Sequence, residues 1–134
     1  MIAGTEWIVD ANGCRPEALR DLGLLQAVFH RIITELQLQV VDEILWHRFP
    51  PPGGLTGMAL LSESHLTCHT YPEYRLATIN LYCCRSRPEW PWAECLRDLL
   101  GARDVTVRAI ERYAAMPDLP TLKHSLQLAL AKES

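Results

Sequence analysis

The chain has 134 residues, 49% of them apolar and 22% charged, with a net charge of −3, a composition that suits one globular domain with a buried core. No Lys/Arg cluster is present to follow a phosphate backbone, so nucleic acid is not an expected partner. No run of ~18 uncharged apolar residues is present to span a membrane, and the opening MIAGTE lacks the basic and apolar regions of an export signal, so a cytoplasmic location is expected.

Residues 5–10 (TEWIVD) read as a short strand ended by Asn12-Gly13. Pro16 suits the first turn of a helix. Ala18, Leu22, Leu25, Phe29, Ile32 and Leu36 recur at three- and four-residue steps, with Leu19, Val28 and Ile33 widening the stripe. That spacing predicts one amphipathic helix lying on an apolar surface. Residues 40–49 are rich in β-branched and aromatic side chains and read as a strand, which Pro50-Pro51-Pro52-Gly53-Gly54 breaks.

Residues 56–62 and 66–71 are two further strand-like runs, close enough to be antiparallel neighbours. Pro72-Glu73-Tyr74 turns the chain into a strand over 76–84. On that strand Ala77, Ile79, Leu81 and Cys83 share an apolar face, and Leu76, Thr78, Asn80, Tyr82 and Cys84 share a more polar one. Helices covering the first face would leave the second for chemistry or a partner. Residues 90–100 read as a helix closed by Gly101, and 103–113 alternate as a last strand. The expected order is β-α-β-β-β-α-β, an α+β two-layer sandwich in which a mostly antiparallel sheet carries two helices on one face. Residues 116–134 read as a tail with a short helix around 122–131.

The five cysteines (Cys14, Cys68, Cys83, Cys84, Cys95) are odd in number and include no CxxC pair. Reduced thiols fit better than a disulfide framework or a zinc site. The unusual segment is Ser62–Tyr74, which packs two serines, two histidines, a cysteine and two carboxylates into a strand pair. Buried polar groups at that density need many partners, so an active-site segment is a better reading than a decorated surface hairpin.

The stretch ESHLTCHTYPEY resembles the processing site of the bacterial and archaeal S-adenosylmethionine decarboxylases, which usually read ESHLT-x-HTWPEY. His47-Arg48-Phe49 matches the family's HRF, a Pro- and Gly-containing loop follows, and Thr56-Gly57 stands where the family has Ser-Gly. Residues 10–14 loosely resemble its opening strand and turn, and Cys84 stands twenty residues after Ser64, at the place of the family's catalytic cysteine. The match spans roughly residues 5–110.

The resemblance implies a proenzyme that cuts itself between Glu63 and Ser64 into residues 1–63 and 64–134, turning Ser64 into a pyruvoyl group. Ser64 Oγ would attack the Glu63 carbonyl to form an ester, with Thr56 as the candidate oxyanion donor. His69 would then remove the Ser64 α-proton so that the ester leaves by elimination. In turnover the ketone would serve as the electron sink, and Cys84 would reprotonate the product carbon. Family members pair as homodimers of cleaved protomers with residues from both around each site. One geometric difficulty arises, because on an uninterrupted strand Ser64 and His69 face opposite sides.

The family's substrate is S-adenosylmethionine, feeding spermidine synthesis. By resemblance Glu73 would bind the ribose hydroxyls, while Phe49 and Tyr71 would stack against adenine. Arg75 replaces a glycine, Asn80 an aspartate, Tyr71 a tryptophan and Arg85 a glycine. These departures keep arginine or ornithine decarboxylation on the same scaffold as an alternative. A metal module built on His65, His69 and Cys68, and a catalytically inert relative, complete the readings.

Overall fold

The computed structural model describes residues 1–115 and 126–131. Its strands are β1 (Ile2–Asn12), β2 (Leu45–Arg48), β3 (Leu55–Leu61), β4 (Ser64–Tyr71), β5 (Leu76–Cys83) and β6 (Asp104–Tyr113). They form a single sheet in the order β2-β3-β4-β5-β1-β6, with every pairing antiparallel. The expected α+β sandwich is present, with four strands between the first helical segment and the last helix; the order β-α-β-β-β-α-β counts one fewer than the four runs at 40–49, 56–62, 66–71 and 76–84. Each of the four runs forms a strand, and the one expected over 40–49 supplies the edge strand β2.

The single helix expected from Pro16 onward is two, α1 (Pro16–Leu19) and α2 (Leu22–Glu35). The apolar stripe runs through the break, which is why periodicity alone missed it. Asp21 makes the break, since its extended backbone ends one helix and its carboxylate accepts from the Leu24 N–H at 3.1 Å to cap the next. Helix α3 (Trp92–Leu100) ends on Gly101 in the left-handed conformation. Leu19, Phe29 and Ile32 from α1 and α2, with Leu96 and Leu100 from α3, join Val9, Leu66, Ile79 and Leu81 of the sheet in one buried cluster. The helices therefore cover one face only.

The strand expected over 40–49 is shorter. Asp42 takes a left-handed backbone (φ 66°), so only Val40 bridges to Leu61 before β2 begins at Leu45. Conversely, β4 starts two residues earlier than the pattern suggests, and β3 and β4 are joined by the two-residue turn Ser62-Glu63. The β5 faces fall as the alternation requires: Ala77, Ile79, Leu81 and Cys83 are buried, while Leu76, Thr78, Asn80 and Tyr82 are half-buried on the open face. Of the tail, 126–131 is helical and exposed. The rest of the expected 122–131 helix lies outside the described residues.

Candidate active site

The sheet gathers the expected site residues into two groups at opposite ends of β4. The first surrounds the Glu63–Ser64 bond. A tight turn delivers the chain into β4 at Ser64, whose φ of 150° is nearly reserved for glycine and costs about 1–3 kcal/mol for a residue with a side chain. Ser64 Oγ lies 2.9 Å from His65 Nδ1. The Glu63 carbonyl accepts a 2.9 Å hydrogen bond from the Cys84 N–H, one step past the Ser64–Cys83 pair of the β4–β5 ladder. The bond that would be cut is thus strained on its serine side and polarised on its carbonyl side.

The Glu63 side chain fixes that geometry from below. Its carboxylate is 1% exposed. It accepts from the Gln39 N–H at 2.7 and 3.2 Å and from Ser62 Oγ at 2.8 Å, with the Arg87 guanidinium 4.0 Å away. Arg87 also donates to the Leu36 and Gln37 carbonyls, tying the turn to the end of α2. Burial by itself would raise the Glu63 pKa. The Ser62 and backbone hydrogen bonds and the Arg87 charge outweigh it and hold the carboxyl below its ordinary range. Cys84 is exposed and lines a cavity of about 410 Å³ with Thr5, Trp7, Arg85 and Glu111. Cys83 is buried on the helix side, where burial raises its thiol pKa to about 11.

The second group lies around His69. Thr56 and His69 are cross-strand partners, and Thr56 Oγ1 sits 2.6 Å from His69 Nδ1. Phe49 meets the His69 ring edge-on at 5.2 Å, and Tyr71 packs on it at 4.4 Å. Phe49, His69, Tyr71 and Glu73 line one cavity of about 230 Å³ with Pro50, Pro52, Gly54 and Thr70. Four residues singled out from sequence therefore share one pocket.

Within one chain the two groups do not meet. Ser64 and His69 are five strand steps apart, about 17 Å at ~3.3 Å per residue, and Thr56 lies beside His69 rather than Ser64. Residues 65, 67, 69 and 71 point to the open face, and Cys68 is buried on the other, so His65, His69 and Cys68 do not converge on a metal. The Ser64–His65 contact is the feature the sequence reading left without a role, although the two residues are adjacent in the chain.

The S-adenosylmethionine decarboxylase family model matches residues 5–113. This chain belongs to that family. S-adenosylmethionine decarboxylase proenzymes of Caldicellulosiruptor saccharolyticus and Moorella thermoacetica are 32% and 31% identical to it, covering 81% and 85% of this chain and 87% and 90% of their own lengths. The fold is that of the adenosylmethionine decarboxylase of Aquifex aeolicus, matched with a TM-score of 0.72 at 21% identity over 87% of this chain and 96% of that one. The S-adenosylmethionine decarboxylase cofactor is a pyruvoyl group made by self-cleavage of the proenzyme. Its requirements fit this chain, where a strained serine carries its hydroxyl against an imidazole and follows a carbonyl held by an N–H donor.

The family's departures also find places. Arg75 occupies a left-handed position (φ 53°) closing the Pro72–Tyr74 turn, which explains the family's glycine there. Tyr71 lines the pocket, Asn80 faces the open side in mid-strand, and Arg85 adjoins Cys84.

Proposed function

We propose that this chain is a self-processing, pyruvoyl-dependent decarboxylase of S-adenosylmethionine that supplies an aminopropyl donor for spermidine synthesis in the cytoplasm. The observation that carries it is the Glu63–Ser64 junction, a serine in a glycine-like conformation directly after a hydrogen-bonded carbonyl. Cleavage there leaves residues 1–63 and 64–134. The pyruvoyl group supplies an electron-withdrawing ketone next to the substrate's reacting carbon. Cys84, exposed at the end of β5, holds the proton returned to that carbon. Glu73 accepts from ribose hydroxyls, and Phe49 and Tyr71 offer flat faces to adenine. Kinship with relatives named for S-adenosylmethionine favours it over arginine or ornithine.

The separation of the two groups supports a homodimer. Two copies packed open face to open face about a two-fold axis would lay the Ser64 end of one β4 over the His69 end of the other. Thr56, His69, Phe49, Tyr71 and Glu73 of each protomer would then serve the Ser64 and Cys84 of its mate. Exposed apolar residues on that face (Leu45, Met58, Leu60 and Ile110) suit burial in such a contact.

Intact-mass measurement of the purified protein tests the reading. Two fragments, 1–63 and 64–134 with the second lacking a free amino terminus, are expected, and Ser64→Ala should stay one chain. Carbon dioxide release should follow S-adenosylmethionine and not arginine or ornithine. A wild-type chain that stays whole defeats the proposal.

A further inference from the structure

Resting on the self-cleavage reading, we propose that His65 is the general base of the first step, the transfer of the Glu63 acyl group from the Ser64 nitrogen to Ser64 Oγ, and that it acts within its own chain. Three observations converge on it. His65 Nδ1 is 2.9 Å from Ser64 Oγ and is, among the described residues, the side chain hydrogen-bonded to that hydroxyl. The other nearby hydroxyl, Ser62 Oγ, is committed to the Glu63 carboxylate at 2.8 Å. His69 and Thr56 lie at the far end of the strand pair, about 17 Å away by strand rise.

The imidazole is also held in place. His65 pairs across the ladder with Tyr82, whose ring is 5.9 Å from its own. The Arg112 guanidinium lies over the Tyr82 ring, 5.9 Å from its centroid, and is ion-paired to Glu6 at 3.5 Å. This row across β4, β5, β1 and β6 leaves His65 half-buried beside the turn, with Nδ1 toward the hydroxyl.

The step balances without a co-reactant. The Ser64 hydroxyl proton passes to His65 Nδ1 as Oγ bonds to the Glu63 carbonyl carbon. The carbonyl electron pair moves onto the oxygen that faces the Cys84 N–H. Collapse breaks the carbon–nitrogen bond, and His65 returns its proton to the departing Ser64 nitrogen. The product is an ester with a free amine, and the base is regenerated. His69 has no part in this step and serves only the later removal of the α-proton.

The test follows freshly translated chain in a cell-free system, so that processing is watched from its start. His65→Asn keeps a polar atom near the Nδ1 position but accepts no proton, and it should split at least ~100-fold more slowly than wild type, the scale of a lost general base. Hydroxylamine cuts esters, so it should leave the His65→Asn chain whole while cutting His69→Ala at residues 63/64. Added imidazole should restore splitting to His65→Ala, a recovery that a purely structural role does not produce. Matching melting temperatures for the single-chain variants establish that they are folded. His65→Asn splitting at the wild-type rate, hydroxylamine cutting it between 63 and 64, or folded His65→Ala ignoring imidazole each overturns the assignment. Splitting of wild type in the same assay keeps such a failure separate from failure of the self-cleavage reading, which an unsplit wild type would signal.

Discussion

Glu63 shows how much of the turn depends on one buried carboxylate. Because its folded pKa lies below the unfolded value, its ionised form contributes stability that is fully present above the ordinary carboxylate range. That contribution is lost as pH falls through that range toward the folded value. In a Ser64→Ala background, which keeps the chain whole, the urea midpoint should hold steady from pH 7 down to about pH 5 and then fall. Glu63→Gln should lose about 2 kcal/mol at pH 7, because an amide must turn a donor toward the Gln39 N–H or Ser62. It should also show a shallower acid decline, and an unchanged acid limb would contradict the linkage. The motif drew attention to Glu63 as the residue before the proposed cleavage. Its anchoring role was hidden, since Gln39 and Arg87 are far away in sequence and reach it only through the end of α2.

At the scale of elements, the alternation of β5 was readable because a sheet covered on one face sorts side chains by period two. Boundaries were harder. The start of β4 was missed because Ser64 and His65 carry no apolar signal, and the helix break at Asp21 was missed because the stripe continues through it. The Pro72–Tyr74 turn offers a test of local chemistry. Arg75 holds a left-handed backbone there, and its carbonyl accepts from the Cys14 N–H at 3.0 Å. Arg75→Gly should relieve that conformation and raise stability by about 1 kcal/mol, seen as a higher urea midpoint. A lower midpoint would mean that the arginine side chain contributes more than its backbone costs.

For the whole molecule, the proposed site divides into two groups that one sheet holds at opposite ends of β4. Ser64 and His69 on opposite strand faces hinted at this from sequence, but the distance emerged only once β4 proved continuous from Ser64 to Tyr71. Co-expression tests the consequence. Ser64→Ala and His69→Ala chains should each be inactive alone, yet together they should yield cleaved His69→Ala chain and roughly a quarter to a half of wild-type activity, as expected for mixed two-fold pairs. Absence of cleaved product from the mixture would place His69 in service of its own serine.

The β3–β4 ladder runs six residue pairs up to the proposed cleavage point between Glu63 and Ser64, and β4 is locked on its other side to β5. Scission there would leave both pieces in the one sheet, but it would change how the molecule can be rebuilt. A proenzyme regains its shape by a concentration-independent process. The mature enzyme, once denatured, must find its other half by collision, and its recovery should slow with dilution. Maturation is in that sense a ratchet, with assembly completed while the two halves are still tethered.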